Sequence, residues 1–372
     1  MNVFIFTPYY PPYWKYGGTV RSIDGVVQQL IIKHNVVVMA TSDDKSWESS
    51  SVNKNGCRLT VKFYKSKGSF RFSFKYFLNA VRYIRQSNVV YVNGMWSWPS
   101  VLGVLLSCIF SKEVILAPRG MLLPPALSNK ILFKKILGVV YALTSDSSRT
   151  VFHWTTYYEQ HQSLMKCQKA RNVISPNTIA ENEIWKRVKP LPSSSLLNIV
   201  YVGRLTPIKN LESIMEAVMM VNELKCVVTL NIVGDGDYDY VKSLKAFASS
   251  SSCIAFLGHL DGEKRIEVID KSHVGILVSK SENFGMSAAE MLARGRPVIL
   301  GYNVALNEFV QFSQGGWVCD ETPHAVKSKL LEVMTIFNSG RLSEYSTAAR
   351  KVAQQYFKPD IAVSIVDLVV NE

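Results

Sequence analysis

Short apolar runs alternate with longer amphipathic stretches along nearly the whole 372-residue chain. The first half opens with an apolar run at 3–7, followed by a turn-rich loop and a helical pattern over 21–33. Further strand-like runs follow at 36–40, 89–92, 114–117 and 150–152, with helical stretches between them. Such alternation predicts parallel sheets covered by helices, the α/β class of folds.

A proline- and serine-rich segment divides this pattern into two halves. Residues 188–197 read VKPLPSSSLL, a composition typical of a linker. The alternation then restarts, with a helix over 211–221 and strand-like runs at 198–202, 227–233, 254–257, 274–278 and 297–300. We therefore predict domains at 1–190 and 191–354, with a C-terminal helix at about 355–372 that packs on the first domain. Two doubly wound domains are expected to bind ligands at the carboxyl ends of their strands, in the cleft between them.

Composition narrows the class of protein. The chain is 48% apolar and 19% charged, as soluble globular proteins are. Its six cysteines lack C-x-x-C spacing and fit a reducing compartment better than a disulfide framework. The amino terminus lacks signal-peptide features, and the apolar stretch 101–117 is too short and too interrupted to span a membrane. These features predict a cytoplasmic protein.

Charge is distributed unevenly along the chain. Residues 1–190 contain 25 basic and 9 acidic side chains, a net charge of +16, whereas residues 191–372 contain 17 and 20, a net charge of −3. Basic and aromatic residues are interleaved over 65–86, and a second basic, apolar cluster spans 130–137. This mixture suits an anionic membrane surface, although a solvated helix face is a structural alternative. No recognised nucleic-acid module is present, so nucleic acid is not an expected partner.

The segment 279–298, SKSENFGMSAAEMLARGRPV, carries the clearest chemistry. Glu282 and Glu290 stand eight positions apart across a predicted helix start, with Gly285 between them to allow a tight turn. The free N–H groups and positive dipole end of such a helix suit a phosphate, and the flanking acids suit the hydroxyl groups of a nucleotide sugar. A structural explanation also fits, since acids near a helix start complement its dipole.

This segment resembles the E-x7-E signature of retaining family-4 glycosyltransferases, which have the GT-B fold of two Rossmann-like domains facing across a cleft. The resemblance continues through ARGRPV at 293–298, where that family carries A-x-G-x-P-V. It implies that Glu282 contacts hydroxyls of the donor sugar and that Glu290 holds the ribose. It also implies a donor-binding turn formed by Asn283, Phe284, Gly285, Met286 and Ser287.

A loop upstream supplies cations. Gly203 follows the strand at 198–202, and Arg204 and Lys209 stand five positions apart on the loop, so both side chains can reach one anion. Fixed cations would stabilise the charge that develops on a departing diphosphate. The motif alone also fits two surface cations, but it is similar to the family's phosphate-binding pair. We therefore predict catalytic roles for Arg204 and Lys209 and a donor-binding role for Gly203.

The first domain extends the resemblance at two places. Gly17 and Gly18 occupy the loop after the first strand, where the family carries glycines near the donor; a flexible turn is the structural alternative. Arg119, in PRGM, stands where many relatives have a histidine. We predict a catalytic role for it and leave its ligand open among donor phosphate, sugar and acidic acceptor. Asn177 lies in a P-N-T turn that is similar to the family's P-N-G.

The turn GDGD at 234–237 contains the D-x-D pattern that binds a divalent metal in other sugar transferases. It also resembles the family's V-G-D-G turn, which needs no metal. We therefore predict no metal and no cofactor other than the nucleotide-sugar co-substrate. His153 and His259 stand beside predicted strands and are interpreted as packed or surface residues.

The resemblance implies a retaining glycosyltransferase (EC 2.4, hexosyltransferase type) that moves a sugar from a nucleotide sugar to a saccharide. The basic first domain suggests a lipid-linked acceptor at the inner face of the cytoplasmic membrane, in bacterial O-antigen, capsule or exopolysaccharide assembly. One alternative is a GT-B enzyme of another reaction type, a sugar-nucleotide epimerase or a phosphorylase. The other is a non-catalytic protein of the same fold that binds membranes or polysaccharides.

Overall fold

The apolar runs are rich in β-branched residues, which pack well on both faces of a buried parallel sheet. The computed structural model describes residues 1–53, 55–127, 131–145, 148–163, 169–180, 182–186, 189–224, 227–359 and 365–370. The chain divides into a first unit, residues 1–180 and 362–372, and a second unit, residues 181–361. Each unit contains a largely parallel sheet with helices, which confirms the predicted α/β fold class.

Within its described residues, the first unit contains one sheet. Its strands are β1 (Asn2–Phe6), β2 (Asn35–Ser42), β3 (Trp47–Val52), β4 (Arg58–Lys65), β5 (Val89–Asn93), β6 (Glu113–Ala117), β7 (Thr150–Trp154) and β8 (Arg171–Ile174). They are arranged in the order β3-β4-β2-β1-β5-β6-β7-β8. Every neighbouring pair is parallel except β3 with β4. The edge strand β3 is exposed and largely polar, so its sequence gave no apolar signal to predict it.

The described part of the second unit likewise contains one sheet, and all of its neighbouring strands are parallel. Its strands are β9 (Leu197–Val202), β10 (Val228–Val233), β11 (Ile254–Gly258), β12 (Val274–Leu277), β13 (Val298–Gly301) and β14 (Gly316–Cys319). The order is β11-β10-β9-β12-β13-β14. Because β9 and β12 are parallel neighbours, the loops that follow them leave the sheet side by side at its carboxyl edge.

Helices lie between most of the strands. They are α1 (Gly18–Leu30), α2 (Phe74–Gln86), α3 (Trp98–Ile109), α4 (Pro124–Leu127), α5 (Ile131–Ser145), α6 (Tyr157–Gln162), α7 (Asn182–Trp185), α8 (Leu211–Val221), α9 (Tyr238–Phe247), α10 (Gly262–Asp270), α11 (Met286–Ala293), α12 (Asn307–Val310), α13 (Pro323–Asn338), α14 (Leu342–Tyr356) and α15 (Ile365–Val370). Two short 3-10 turns occupy Trp14–Tyr16 and Pro207–Lys209.

The first unit has a core on each face of its sheet because side chains alternate along β1. Phe4 and Phe6 join one core with residues of α2, α3 and α5. Val3 and Ile5 join the other core with residues of α1 and α15. The C-terminal helix α15 is thus part of the first unit, and Asp367 accepts hydrogen bonds at 3.2 Å from Lys33 and at 3.2 Å from the ring of His34.

Cysteine usage differs in one respect from the expectation. Cys57, Cys108 and Cys319 are free thiols. Cys253 is disulfide-bonded, whereas the cysteine spacing favoured a reducing compartment over a disulfide framework. Cys167 and Cys226 lie outside the described residues. None of the described helices is both long enough and apolar enough to cross a membrane.

A buried ionic cluster holds the segment that leads into the second unit. Arg294 binds Asp270 through Nε at 2.9 Å and Nη2 at 2.6 Å, and its Nη1 donates to the carbonyls of Ile184 and Lys186, both at 3.2 Å. Arg296 is fully buried and donates to carbonyls at 189–190 and to the carbonyl of Asp270. Burial lowers the pKa of Arg296 to about 10, and Asp270 opposes that shift. The arginines of ARGRPV therefore have a structural role.

We predict that Asp270→Asn destabilises the second unit by about 3–5 kcal/mol, because it leaves two buried guanidinium groups without their carboxylate. Urea unfolding followed by fluorescence measures the change. Glu267→Gln is the matched control, since Glu267 lies on the same helix and its pair with Lys271 is exposed. The control is expected to unfold like the wild type. Equal midpoints for the wild type and Asp270→Asn would contradict the structural role of the cluster.

Candidate active site

Glu282 lies on the loop between β12 and α11, and backbone hydrogen bonds fix its position. Its N–H donates to the carbonyl of Asn303 at 2.9 Å, and its own carbonyl accepts from the N–H of Ala305 at 3.2 Å. The loop after β12 is thereby joined to the loop after β13. The carboxylate of Glu282 is held at the carboxyl edge of the sheet, where parallel α/β folds bind their ligands.

Gly285 makes the turn into α11 possible. Its φ is 93° and its ψ is 53°, in the left-handed region. A Cβ at this position would lie 3.1 Å from Leu277 and 3.3 Å from Val304, so both the conformation and the space favour glycine. The turn sends the ring of Phe284 into a cluster with Phe309 and Phe357. Helix α11 then begins at Met286, which is largely buried, and Ser287 is half-buried.

The loop after β9 brings a cation to this acid. Lys209 forms an ion pair with Glu282, and the two side chains are 15% and 20% exposed. The loops are also joined through their backbones, since the N–H of Lys280 donates to the carbonyl of Ile208 at 2.9 Å. The structure thus brings together two predicted site residues that are 73 positions apart in sequence. In this state each charge neutralises the other.

Arg204 and Gly203 occupy the start of the same loop. The side chain of Arg204 is exposed, and its carbonyl accepts a hydrogen bond from the Tyr201 hydroxyl at 2.9 Å. Burial, with a smaller contribution from the charge of Glu282, raises the pKa of Tyr201. Gly203 packs closely on this ring, since a Cβ there would lie 2.8 Å from the hydroxyl. Close packing against Tyr201 therefore explains the glycine at this position without any ligand.

Glu290 is placed differently from Glu282. It lies in the third position before the end of α11, is 1% exposed, and forms a buried ion pair with Arg265 of α10. Sequence reasoning missed Arg265 because no motif marks it and it stands 25 positions before its partner. The predicted contact between Glu290 and a ribose stays a prediction. Such a contact requires ligand access to a carboxylate that is now covered.

The aspartates of GDGD are occupied by local backbone groups. Asp235 accepts from the N–H of Gly236 at 2.8 Å, and Asp237 caps α9 by accepting from the N–H groups of Asp239 and Tyr240. Across the described ranges, no group of three or more His, Cys, Asp or Glu side chains is arranged to hold a metal ion. Metal independence of the reaction stays a prediction.

The glycine pair of the first unit begins α1. Gly17 has a φ of 69° and precedes the helix, and Gly18 is its exposed first residue. In the preceding loop, the rings of Tyr9 and Tyr16 stack with their centroids 3.7 Å apart. The buried guanidinium of Arg71 lies over both rings. The loop that carries the glycines is therefore well supported.

Arg119 lies two residues after β6 and is bound by three neutral side chains. Its Nε donates to Asn93 at 3.1 Å, its Nη1 to Asn177 at 2.5 Å and its Nη2 to the Tyr91 hydroxyl at 2.6 Å. Arg119 is half-buried and has a φ of 56°. The carboxyl edges of β5, β6 and β8 thus supply groups to one polar cluster.

The hydrogen-bond directions behind Arg119 follow from chemistry. The carbonyl of Ser175 can only accept, so His153 Nε2, 2.9 Å away, carries a proton. His153 Nδ1 then accepts from the Tyr91 hydroxyl at 2.8 Å, and the Tyr91 oxygen accepts from Arg119. Burial, with a further contribution from Arg119, lowers the pKa of His153 to about 3. His153 is therefore a packed, neutral histidine, whereas His259 is exposed and contacts Asp261 at 2.7 Å.

Comparisons with known proteins find similar glycosyltransferases. Residues 197–335 match the family model described as glycosyl transferases group 1. An uncharacterized glycosyltransferase, MJ1607, of Methanocaldococcus jannaschii is 28% identical over 174 residues, which are 46% of this chain and 44% of that protein. Glycogen synthase of Mycobacterium tuberculosis is 26% identical over 196 residues, 49% of this chain and 47% of that protein. The chain therefore matches about half the length of these curated relatives.

A solved structure covers the whole chain. Alr3699/HepE of Anabaena, in complex with UDP and glucose, aligns with a TM-score of 0.72 over 100% of this chain and 99% of its own, at 14% identity. The chain has the GT-B fold of glycosyltransferases. The family match covers most of the second unit, including Arg204, Lys209 and Glu282.

Sequence reasoning missed Glu159, a buried residue that holds the loop containing Arg119 and Gly120. Its carboxylate accepts from the N–H of Gly120 at 2.5 Å and from the N–H and hydroxyl of Thr155 at 2.8 and 2.7 Å. The T-x-x-E spacing from Thr156 to Glu159 is a helix-start signal, and Thr156 does cap α6. That spacing predicts the helix but gives no hint of the bond to Gly120.

Acid is expected to destabilise the first unit through His153. Its pKa falls from an ordinary 6.5 to about 3 on folding, so the unfolded chain binds the extra proton first. The contribution is complete above pH 6.5 and decreases by about 1.4 kcal/mol per pH unit as the pH falls toward 3. His153→Gln should show a shallower decrease in unfolding free energy in urea titrations over this window. Equal slopes for both proteins would contradict the neutral state of His153.

Proposed function

We propose that the protein is a glycosyltransferase that moves a sugar from a nucleotide-sugar donor to a saccharide acceptor with retention of anomeric configuration. The observation that carries the proposal is the Lys209–Glu282 ion pair beside the start of α11. The match of residues 197–335 to glycosyl transferases group 1 supports it. The HepE structure, which contains UDP and glucose, supports a nucleotide sugar as donor.

The proposed site separates the tasks of binding and charge stabilisation. Lys209 and Arg204 bind the diphosphate, together with the first N–H groups of α11, which have no partner within their helix. Binding of the diphosphate draws Lys209 away from Glu282 and frees the carboxylate. Glu282 then accepts hydrogen bonds from hydroxyl groups of the donor sugar. In the absence of donor, Lys209 and Glu282 thus serve as counter-ions for each other.

The reaction we propose is a displacement on one face of the sugar. The bond between the anomeric carbon and the diphosphate oxygen breaks, and a bond from the acceptor oxygen to that carbon forms. The proton of the acceptor hydroxyl passes to the departing phosphate. Negative charge grows on the diphosphate as the bond breaks, so Lys209 and Arg204 stabilise the transition state more than the ground state.

We further propose that the acceptor is lipid-linked and that the first unit binds an anionic membrane surface. Helices α2 and α5 both contact α3. The exposed side of α2 combines Phe74 and Leu78 with Lys75, Arg82 and Arg85. Among its described side chains, helix α5 exposes large apolar groups at helical spacing: Ile136, Val139 and Leu143. Exposed apolar residues flanked by basic ones suit the anionic leaflet that holds a lipid-linked saccharide.

Two residues of the basic segments, Arg71 and Lys134, and the nearby Lys62 contribute less to this surface than the sequence suggests. Lys62 pairs with Glu48, and Arg71 is buried against Asp43. Lys134 donates to the carbonyl of Ala126. Lys130 lies outside the described residues. The proposed membrane surface therefore depends on α2 and on the apolar side of α5, in a protein of bacterial surface polysaccharide assembly at the inner face of the membrane.

Glu282→Gln is expected to lower sugar transfer about 100-fold or more, because it removes the charged acceptor of the donor-sugar hydroxyls. A panel of nucleotide sugars, assayed for nucleoside diphosphate release and for glycoside formation, measures the effect. Glu263→Gln, an exposed acid of the same unit, is the control and should keep full activity. Full activity in Glu282→Gln would contradict the site. Epimerised donor without acceptor, or a requirement for inorganic phosphate, would instead favour an epimerase or a phosphorylase.

The double variant Phe74→Ser, Leu78→Ser is expected to weaken binding to phosphatidylglycerol vesicles by about tenfold or more, because it removes inserted apolar area. Cosedimentation with phosphatidylglycerol and phosphatidylcholine vesicles measures it. Leu331→Ser changes an apolar residue that is 45% exposed in the second unit and should bind like the wild type. Unchanged binding of the double variant, or equal binding to both lipids, would contradict the proposed surface.

A further inference from the structure

The guanidinium of Arg119 has hydrogen-bond donors left over. Of its five N–H groups, three go to Asn93, Asn177 and Tyr91, one from each nitrogen. Two N–H groups, one on each terminal nitrogen, have no partner among the described residues, and the side chain is half-buried at the carboxyl edge of the sheet. An arginine held in this way presents two adjacent donors in a fixed orientation.

Among the described residues, no acidic side chain is in direct contact with the guanidinium of Arg119. The groups that it contacts, two amide oxygens and a phenol oxygen, are all neutral. His153, next along the chain of hydrogen bonds, is neutral as well. Glu159, the acid of this cluster, is bound to Gly120 and Thr155. Among the described ion pairs, none involves Arg119.

The loop is built to hold this side chain in place. Arg119 itself has a φ of 56°, a conformation that is uncommon for a residue with a side chain. Gly120 follows with a φ of 75°, and its N–H is fixed by the buried carboxylate of Glu159 at 2.5 Å. A strained backbone persists only where its surroundings enforce it, and such sites cluster where ligands bind.

We infer that Arg119 is the oxyanion-binding residue of the first unit, and that Asn93, Asn177 and Tyr91 are positioning residues for it. Its ligand is a phosphate or carboxylate group of a substrate: a phosphate of the nucleotide donor, or an acidic group on the saccharide acceptor. Two directed N–H donors with a full positive charge bind such an oxyanion more strongly than they bind a neutral hydroxyl. The inference assigns a ligand class within the proposed glycosyltransferase function and rests on it.

Two variants separate the charge of Arg119 from its shape. Arg119→Gln removes the charge. Asn177→Asp keeps the shape of the cluster but places a carboxylate against the guanidinium, so the cation is neutralised from within. Asn172→Asp is the matched control, because Asn172 is exposed on β8, contacts Trp154 at 2.8 Å and makes no contact with Arg119. All three are studied in the full chain.

Calorimetric titration with inorganic pyrophosphate, glucuronate and glucose tests the inference. We expect both Arg119→Gln and Asn177→Asp to weaken the binding of one of the two anions about tenfold or more. The affinity for glucose should stay unchanged in both variants, and Asn172→Asp should bind all three ligands like the wild type. Weaker binding of pyrophosphate would identify a donor phosphate as the ligand of Arg119. Weaker binding of glucuronate would identify an acidic group of the acceptor. If Arg119→Gln does not fold, Asn177→Asp decides alone. Wild-type affinity for both anions in the folded variants, or no anion binding by the wild type, overturns the inference.

The outcome is separable from that of the proposed function. If the protein transfers sugar but its anion binding does not depend on Arg119 and Asn177, this inference is wrong and the proposed glycosyltransferase function is retained. Conversely, if anion binding depends on Arg119 but the protein turns over no nucleotide sugar, the oxyanion site is retained and the proposed function is wrong.

Discussion

At Gly285 the chain turns through a left-handed conformation in a space where a Cβ would meet Leu277 and Val304. This turn determines the position of its neighbours. Before it, Phe284 enters the core of the second unit and Glu282 stays beside Lys209. After it, α11 begins at once, so the N–H groups of its first turn, which have no partner within the helix, start near the Lys209–Glu282 ion pair. The proposed donor site depends on this one backbone conformation.

Local signals in the sequence predicted the parts of the fold that depend on local chemistry. The helix over 211–221 and the strands around it stand where their periodicity placed them. The pairing of Glu282 with Lys209 also agrees with the two motifs, because parallel strands β9 and β12 are neighbours. The polar edge strand β3 and the disulfide at Cys253 were not predicted, since neither leaves a periodic pattern.

Long-range partners were the harder part of the site. Glu290 has the motif position of a ligand contact, yet in the structure it is buried against Arg265, which carries no sequence signal. Arg119 was singled out from its motif, but its support comes from Asn93, Tyr91 and Asn177 on other strands. Each of these contacts exists only because the sheet order places distant segments side by side. Sequence spacing alone does not contain that order.

The cluster around Arg294 and the cluster around Arg119 use arginine in opposite ways. In the second unit, Arg294 is balanced by the buried Asp270, and Arg265 by Glu290. In the first unit, Arg119 is held by neutral groups and keeps its charge and two donors. The most direct test of the donor site is a structure with a nucleoside diphosphate bound. We expect a phosphate oxygen within about 3 Å of Lys209 Nζ and of the first N–H groups of α11. A diphosphate bound elsewhere, with Lys209 still paired to Glu282, would contradict the proposed site.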